Sequence, residues 1–306
     1  TTILSYWAHP YRPSWSFKAL DRIMNFSKWL FLNNMVNMVR RVGPALIIGR
    51  ISGARGLGLF RIAYEISNLP TTELVAPANR ALLPGFSKIS DDETRIGKQY
   101  IRVAGLLSLL SLPTGFGIAA TASLFTPLVL GDEWLSAIPL IQVLALFGAV
   151  TAIQSPIATV LMAIGKPKTV SLVSLAQLFF VLPLLAYLNH HFGVIGAAVA
   201  MLTTSCLALP TYAVLASRQM QAPIGSFVRV VSKPLLAALV MFYCIWRALP
   251  NLDATVPNLL LASSAGAALF VAMIGLLWLV TGRPQNSAEK EIYDLSIRYI
   301  RKLIKR

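Results

Sequence analysis

The sequence predicts an all-α integral membrane protein of about eight transmembrane helices, a number set by how many ~20-residue apolar runs the chain holds. Three observations carry this. The 306 residues are 56% hydrophobic and only 13% charged, with a mean hydropathy of +0.66, whereas soluble domains carry roughly 25% charged residues. The apolar runs follow one another closely, and ~18 such residues suffice for a membrane helix. Period-2 alternation is absent, which argues against an outer-membrane barrel.

In chain order, helix A is predicted over 24–49, B over 56–86, C over 102–129 and D over 136–163. Helix E follows over 169–188, F over 193–216, G over 232–249 and H over 257–280. The loops alternate in charge. Arg12, Lys18, Arg22 and Lys28 precede or open helix A, and Lys88, Arg95, Lys98 and Arg102 lie between B and C. Lys166 and Lys168 lie between D and E; Arg218, Arg229 and Lys233 lie between F and G. The tail adds Arg283, Lys290, Arg298, Arg301, Lys302, Lys305 and Arg306. The opposite loops, "GDEWLS" (131–136), "NHH" (189–191) and "PNLDATVP" (250–257), contain no Lys or Arg; the A–B turn, with Arg50 and Arg55, is the exception. Basic residues collect on the cytoplasmic side, so both ends of the chain are predicted cytoplasmic. The net charge of +15 is then mainly a topology signature and not the footprint of a nucleic-acid partner.

The ends read differently from the spans. "TTILSYWAHPYRPSW" has no charged region followed by an apolar core, so it is not a signal peptide, and a chain opening on Thr1 reads as the carboxy-terminal portion of a longer one. "NSAEKEIYDLSIRYIRKLIKR" (286–306) spaces Ile292, Leu295, Tyr299, Ile300 and Leu303 helically with bases between them. It reads as an amphipathic helix on the anionic cytoplasmic leaflet, or as a solvated basic tail. Cys206 and Cys244 fall in apolar runs and read as small buried hydrophobes. "GVIGAAVA" (193–200) and "ASSAGAA" (262–268) permit close helix packing in lipid.

Helices A and B carry the chemistry. Asn33, Asn34, Asn37, Arg40 and Arg41 fall within an arc of roughly 120° on helix A. Met35, Val36, Met38, Val39 and Val42 take the other side. Only "VGPALIIG" separates Arg41 from Arg50; that is about 12 Å of helix, far less than a ~30 Å hydrocarbon core. Two readings stand for the arginine pair: cavity lining, or snorkelling to the outer interface. Helix B places Arg61, Glu65, Asn68, Thr72, Asn79 and Arg80 on one face, with Glu73 at its edge. Pro70 and Pro77 are expected to bend it as hinges. The two faces read as a hydrated pathway or as an ion-pair network locking A to B, with Arg61 and Glu65 four apart and able to pair. Glu65 and Glu73 are candidate coupling sites or partners for the arginines. A guanidinium fork matches phosphate or carboxylate oxygens, so a cationic cavity here suits a pyrophosphate or an acidic sugar.

Enzyme motifs are absent: there is no HExxH, GxSxG, Walker loop or DxD pair in a plausible context. "DDE" (91–93) reads as a solvated turn, His190 and His191 as interfacial, and Trp134 as an interface anchor. No cofactor, metal site or catalytic residue is expected.

"FSKWLFLNN", then "LIIGRISGARGLGLFRIAYEISNLPTTELVAPANRALLPGFSKISDD", "LGDEWLSAIPLIQVLALFG" and "AIGKPK" resemble the Wzx-type oligosaccharide flippases of polysaccharide biosynthesis, in the colanic-acid-exporter-like branch. The resemblance covers roughly residues 10–220 and is most specific from Gly53 to Asp92. It implies the multidrug/oligosaccharidyl-lipid/polysaccharide exporter superfamily, with a MATE-like architecture of two six-helix bundles. On that basis 1–23 is a cytoplasmic linker or interfacial segment, and 24–216 is the second six-helix bundle. Residues 217–280 are then two additional helices, and 281–306 a basic amphipathic cytoplasmic tail. Where many relatives have an acid after the helix A arginine, this chain has "RRVGP", with Gly43 and Pro44; an ion-coupling role at that place is in doubt.

The resemblance implies a flippase for undecaprenyl-pyrophosphate-linked oligosaccharide in the bacterial inner membrane, working by alternating access. Arg40, Arg41 and Arg80 are the expected anion-binding residues, and Asn33, Asn34 and Asn37 the expected partners of sugar hydroxyls. Expected partners are the lipid-linked oligosaccharide, membrane lipids, and the polysaccharide polymerase and export machinery. The rivals are a drug or cation antiporter of the same superfamily and a non-catalytic scaffold subunit of a glycan-export complex. A polymerase or ligase is disfavoured because every predicted outer loop is short.

Overall fold

A computed structural model describes residues 20–280, apart from 71, 72, 74, 88, 90, 91 and 250–252. Residues 1–19 of the proposed linker and the whole of the 281–306 tail lie outside the described residues. Among the described residues every regular element is helical. We number them α1 (Leu20–Pro70), α2 (Ala76–Ser87), α3 (Glu93–Val129), α4 (Ile138–Ala163), α5 (Pro167–Met220), α6 (Ile224–Ala248) and α7 (Val256–Val280), with a 3-10 turn at Asp132–Ala137 between α3 and α4.

Two of these are folded back on themselves. In α1, Gly53 has φ 71 and ψ −173; in α5, Gly193 has φ 63 and ψ −156. Those backbone angles belong essentially to glycine, and no helix continues straight through them. Each marks the corner between the predicted helices, A and B in the first case and E and F in the second. The second corner is tight because Gly196 lies against the Leu188 carbonyl, leaving no room for a Cβ. The two corners are joined: Ser52 Oγ donates to Asn189 Oδ1 at 2.9 Å. At the opposite end of the same two helices, Ser171 Oγ donates to the Trp29 carbonyl at 2.7 Å. The Lys28 and Lys168 ammonium groups there lie 5.9 and 5.6 Å from the Trp29 ring centroid.

Five helical segments are long and apolar enough to cross a membrane: 94–129, 132–163, 167–220, 224–248 and 256–280. The third is the doubled α5. The chain is an all-α, multi-pass integral membrane protein, and the two limbs of α1 stand apart as its charged part.

Helix B does not run through to residue 86 as one rod. α1 ends at Pro70, Glu73 and Val75 lie in a widened π-type turn, and α2 restarts at Ala76. Proline lacks an amide donor and clashes with the preceding turn, so a break at this spacing of Pro70 and Pro77 is expected. "DDE" is more than a solvated turn: the exposed Asp92 caps α3, its side chain accepting from Arg95 N at 2.9 Å. Helix C accordingly starts at 93, well before the expected 102.

Two apolar cores hold the bundle. One joins both limbs of α1 to α4 and α5 around Ile48, Phe60, Ile141, Leu144 and Leu185. The other joins α2, α3, α4, the end of α5, α6 and α7 around Tyr100, Leu112, Ile153, Met220 and Met241. Helices α3 and α4 meet closely because Gly115 faces Ala149; a Cβ there would lie 2.6 Å from the Ala149 Cβ. The small-residue runs act likewise. Ala197, Ala198 and Ala200 are fully buried, and a Cβ on Gly266 would lie 2.7 Å from Ile245 Cδ1 of α6. Cys206 and Cys244 depart from expectation: both are exposed. They sit on outward helix faces, where bilayer and not protein meets an apolar side chain.

Candidate functional site

A cavity of about 310 Å³ opens within the first core. From the first limb of α1 it is lined by Asn37, Arg40, Arg41 and Pro44, and from the second by Tyr64 and Asn68. Helix α4 adds Phe147 and Thr151. The two limbs of α5 add Gln177 and Val181, then Met201, Thr204 and Ser205. The corners explain the convergence. By helical rise of ~1.5 Å per residue, Arg40 lies about 20 Å from Gly53 and Thr204 about 17 Å from Gly193. Since the corners are hydrogen-bonded to each other, the residues meet at one depth, well inside the bundle.

The two arginines are placed differently. Arg40 is half-buried and Arg41 exposed. Arg40 donates to the hydroxyl of Tyr212, and that hydroxyl donates to Gln177 Oε1 at 3.1 Å. The direction is forced: a guanidinium has no acceptor, so the phenol oxygen must receive from it and send its own proton onward. Tyr64 lies within electrostatic reach of both arginines and shares a side-chain hydrogen bond with Asn68. Behind the cavity, Gln154 Nε2 donates to the Ser205 carbonyl at 2.6 Å and Ser67 Oγ to the Ile141 carbonyl at 3.2 Å, tying α4 to α5 and to α1.

Among the described residues no carboxylate lines this cavity. Two guanidinium groups without a lining acid make a cationic interior, and charge at such depth costs several kcal/mol unless protein or water receives it. The arrangement therefore suits an anion. Among the described residues no group of three or more His, Cys, Asp or Glu stands together as a metal site.

Of the sequence-predicted residues, the structure brings Asn37, Arg40 and Arg41 together, with Asn68 from helix B. Asn33 is 3% exposed with its Oδ1 unpartnered, and does not line the cavity. Asn34 is exposed and outside it. Arg80 is exposed on α2, also outside it. Arg61 and Glu65 are exposed on α1 and do not line the cavity. Glu73 instead edges a second, larger and mainly apolar groove of about 990 Å³ between the end of α1, α3, α6 and α7. Asn79, expected on the same face as Arg61, turns inward and donates to Ser155 Oγ at 2.8 Å. At Gly43, where many relatives of the resembled family carry an acid nearby, an added Cβ would lie 3.1 Å from Leu182 Cδ2, a tight contact with the first limb of α5. Pro44 itself lines the cavity.

Sequence reasoning missed Tyr64, Thr151, Gln177, Thr204 and Tyr212. The one available signal was cost: a Gln in the middle of an apolar span must find a partner.

Residues 1–139 match a family model described as polysaccharide biosynthesis protein. The chain is 27% identical over 194 residues to the lipopolysaccharide biosynthesis protein WzxC of Escherichia coli K12, a match covering 63% of this chain and 39% of that protein. It is 28% identical over 167 residues to the teichuronic acid biosynthesis protein TuaB of Bacillus subtilis, covering 53% of this chain and 34% of that one. With the succinoglycan biosynthesis transport protein ExoT of Rhizobium meliloti it shares 23% identity over 276 residues, 89% of this chain and 56% of the other. It thus spans less than two thirds of each of these relatives. No solved structure matches. The chain is a multi-pass membrane protein similar to proteins of polysaccharide biosynthesis and transport, WzxC of Escherichia coli K12 among them.

Proposed function

We propose that this chain forms part of a flippase that moves an undecaprenyl-pyrophosphate-linked oligosaccharide across the bacterial inner membrane. It does so by alternating access, for surface polysaccharide or lipopolysaccharide biosynthesis, with both described ends of the bundle on the cytoplasmic side. The observation that carries the reading is the cavity built around Arg40 and Arg41, with no carboxylate among its described lining residues. An anionic cargo gains from that field in a medium of low dielectric, whereas a cation is repelled. This weighs against the drug or cation antiporter of the same superfamily. The related proteins carry names of polysaccharide biosynthesis and transport, which supports a glycan cargo and a transporter over a catalyst. Asn34 and Arg80, exposed outside the cavity, would guide the cargo towards Arg40 and Arg41, and Pro70 and Pro77 would flank the hinge. Export machinery and polymerase are its proposed partners.

The test replaces Arg40 and Arg41 together with Ala in the full protein of the host bacterium. Surface polysaccharide is expected to fall at least about tenfold, a loss of ~1.4 kcal/mol or more in cargo stabilisation, with membrane levels of the protein unchanged. Normal polysaccharide at normal protein level removes the assigned role of the pair.

A further inference from the structure

We propose that the cavity is a subsite for a single sugar residue bearing a carboxylate, of the uronic-acid type. The proposal rests on the reading that the protein carries a glycan, and it goes further by naming the unit that enters the cavity within the first core.

Size is the first argument. A cavity of about 310 Å³ stands at the lower end of ligand-enclosing pockets, ~300–1,000 Å³, a size suited to a single sugar unit of a glycan and not to the whole oligosaccharide. The second argument is the mixture of surfaces. Phosphate or pyrophosphate asks only for donors. This cavity has donors on one side, Arg40 and Arg41, and an aromatic wall on another, where Tyr64 and Phe147 lie 6.4 Å apart at 37°. The C–H face of a sugar ring packs on such a wall; an inorganic anion gains nothing from it. Acceptors are also present. The hydroxyls of Thr151 and Thr204 donate to the carbonyls of Phe147 and Ala200, at 3.0 and 2.8 Å. Their protons are thereby engaged within their own helix, and their oxygens present lone pairs that receive from sugar hydroxyls.

The third argument is orientation. The chain from Arg40 to Tyr212 to Gln177 fixes the guanidinium fork and takes up Gln177 Oε1. The amide nitrogen of Gln177 is left as the group that serves the cavity. Tyr212 does not line it; it is a positioning residue, acting through Arg40 and Gln177. A fork held in plane matches a carboxylate through two parallel bonds, which a lysine cannot do.

The experiment titrates the purified full protein with free glucuronate, glucose and inorganic pyrophosphate, read by saturation-transfer NMR. The protein's thermal midpoint and gel-filtration profile establish folding. Glucuronate is expected to bind at least about tenfold more tightly than glucose, the margin of one charge-assisted bidentate contact. Arg40→Lys should erase that preference while the protein stays folded. Tyr212→Phe should weaken glucuronate several-fold and leave glucose unchanged, and Thr204→Val should weaken both sugars alike. Equal binding of glucuronate and glucose, pyrophosphate binding that glucuronate does not displace, or no sugar binding by folded protein each overturns the subsite. Should the sugar fail to bind while the Arg40 and Arg41 double variant still abolishes surface polysaccharide, the flippase reading survives and the subsite alone falls. Should glucuronate bind as described while that variant leaves polysaccharide normal, the subsite survives and the flippase role of the pair falls.

Discussion

Arg40 and Arg41 are neighbours in sequence with different surroundings: one is tied to Tyr212 inside the bundle, the other stands at the open side. The helical wheel placed them in one arc because it counts angle only; what separates them is that α5 packs against one side of that arc. Glycines divide in a comparable way. Gly53 is demanded by its backbone, with φ 71 and nothing within 4 Å of an added Cβ. Gly97 is demanded by space, since a Cβ there meets the Met220 carbonyl. Gly53→Ala should therefore cost about 1–3 kcal/mol through backbone strain alone. Gly97→Ala should separate the start of α3 from the turn after α5, and enlarging its side chain further to Val should worsen the loss, whereas Gly53→Val should add little to Gly53→Ala. Thermal midpoints of the four variants in detergent check this; an equal Ala-to-Val step at both sites refutes the distinction. At this scale the sequence displayed Arg40 and Arg41 openly, because two charges in an apolar run have few explanations. It did not display Tyr212 or Gln177. Each stands among small hydroxyl residues in a mainly apolar span, and they meet Arg40 only once the Gly193 corner folds α5 on itself beside α1.

At the scale of elements, the helical spans were legible from apolar run length, and the corners between A and B and between E and F fell where glycine and polar residues interrupt those runs. Starts were less legible. Residues 93–101 of α3 are polar enough to read as loop, yet Asp92 caps them and buried Ile96 and Tyr100 anchor them in the core. The break between α1 and α2 was legible through Pro70 and Pro77. This break lies beside the apolar groove edged by Leu69 and Glu73; its own Val75 packs on Leu107 and Ala152, and it divides a limb packed on α4 from a shorter helix tied there by Asn79. If it serves as a hinge, making it continuous helix should separate stability from transport. Pro70 closes α1 and Pro77 stands in the first turn of α2, places where proline is tolerated and not required, so the Pro70→Ala, Pro77→Ala double variant should keep or raise its thermal midpoint. Surface polysaccharide should nonetheless fall several-fold. Wild-type polysaccharide with a raised midpoint would mean that the bend is only tolerated.

At the scale of the molecule, the described surface has two characters. Apolar side chains stand out along α5 and α7, with Phe179 79%, Leu207 69% and Val271 69% exposed; lipid accepts these without cost. Along α1 the exposed set includes Asn34, Asn37, Arg41, Arg61 and Glu65, which hydrocarbon does not accept, since each lipid-facing charge costs several kcal/mol. That side requires water or another polypeptide beside it, and for a protein moving a hydrated glycan it is the side the cargo meets. Charge in helices A and B foretold its existence, but which residues turn inward and which outward depends on how α1 folds against α4 and α5. Accessibility measures the division directly. With Cys206 and Cys244 first replaced by Ser, a membrane-impermeant maleimide added to cells and to inverted vesicles should label Asn34→Cys and Glu65→Cys in the full protein from at least one side of the membrane. Phe179→Cys and Val271→Cys should resist it from both sides. Prior treatment with a lipid-soluble maleimide should block all four positions, which establishes that the resistant thiols are shielded by lipid and not by misfolding. Equal resistance at all four positions to the impermeant reagent would mean that the polar face of α1 is sealed, and a sealed face leaves a hydrophilic cargo no route to Arg41.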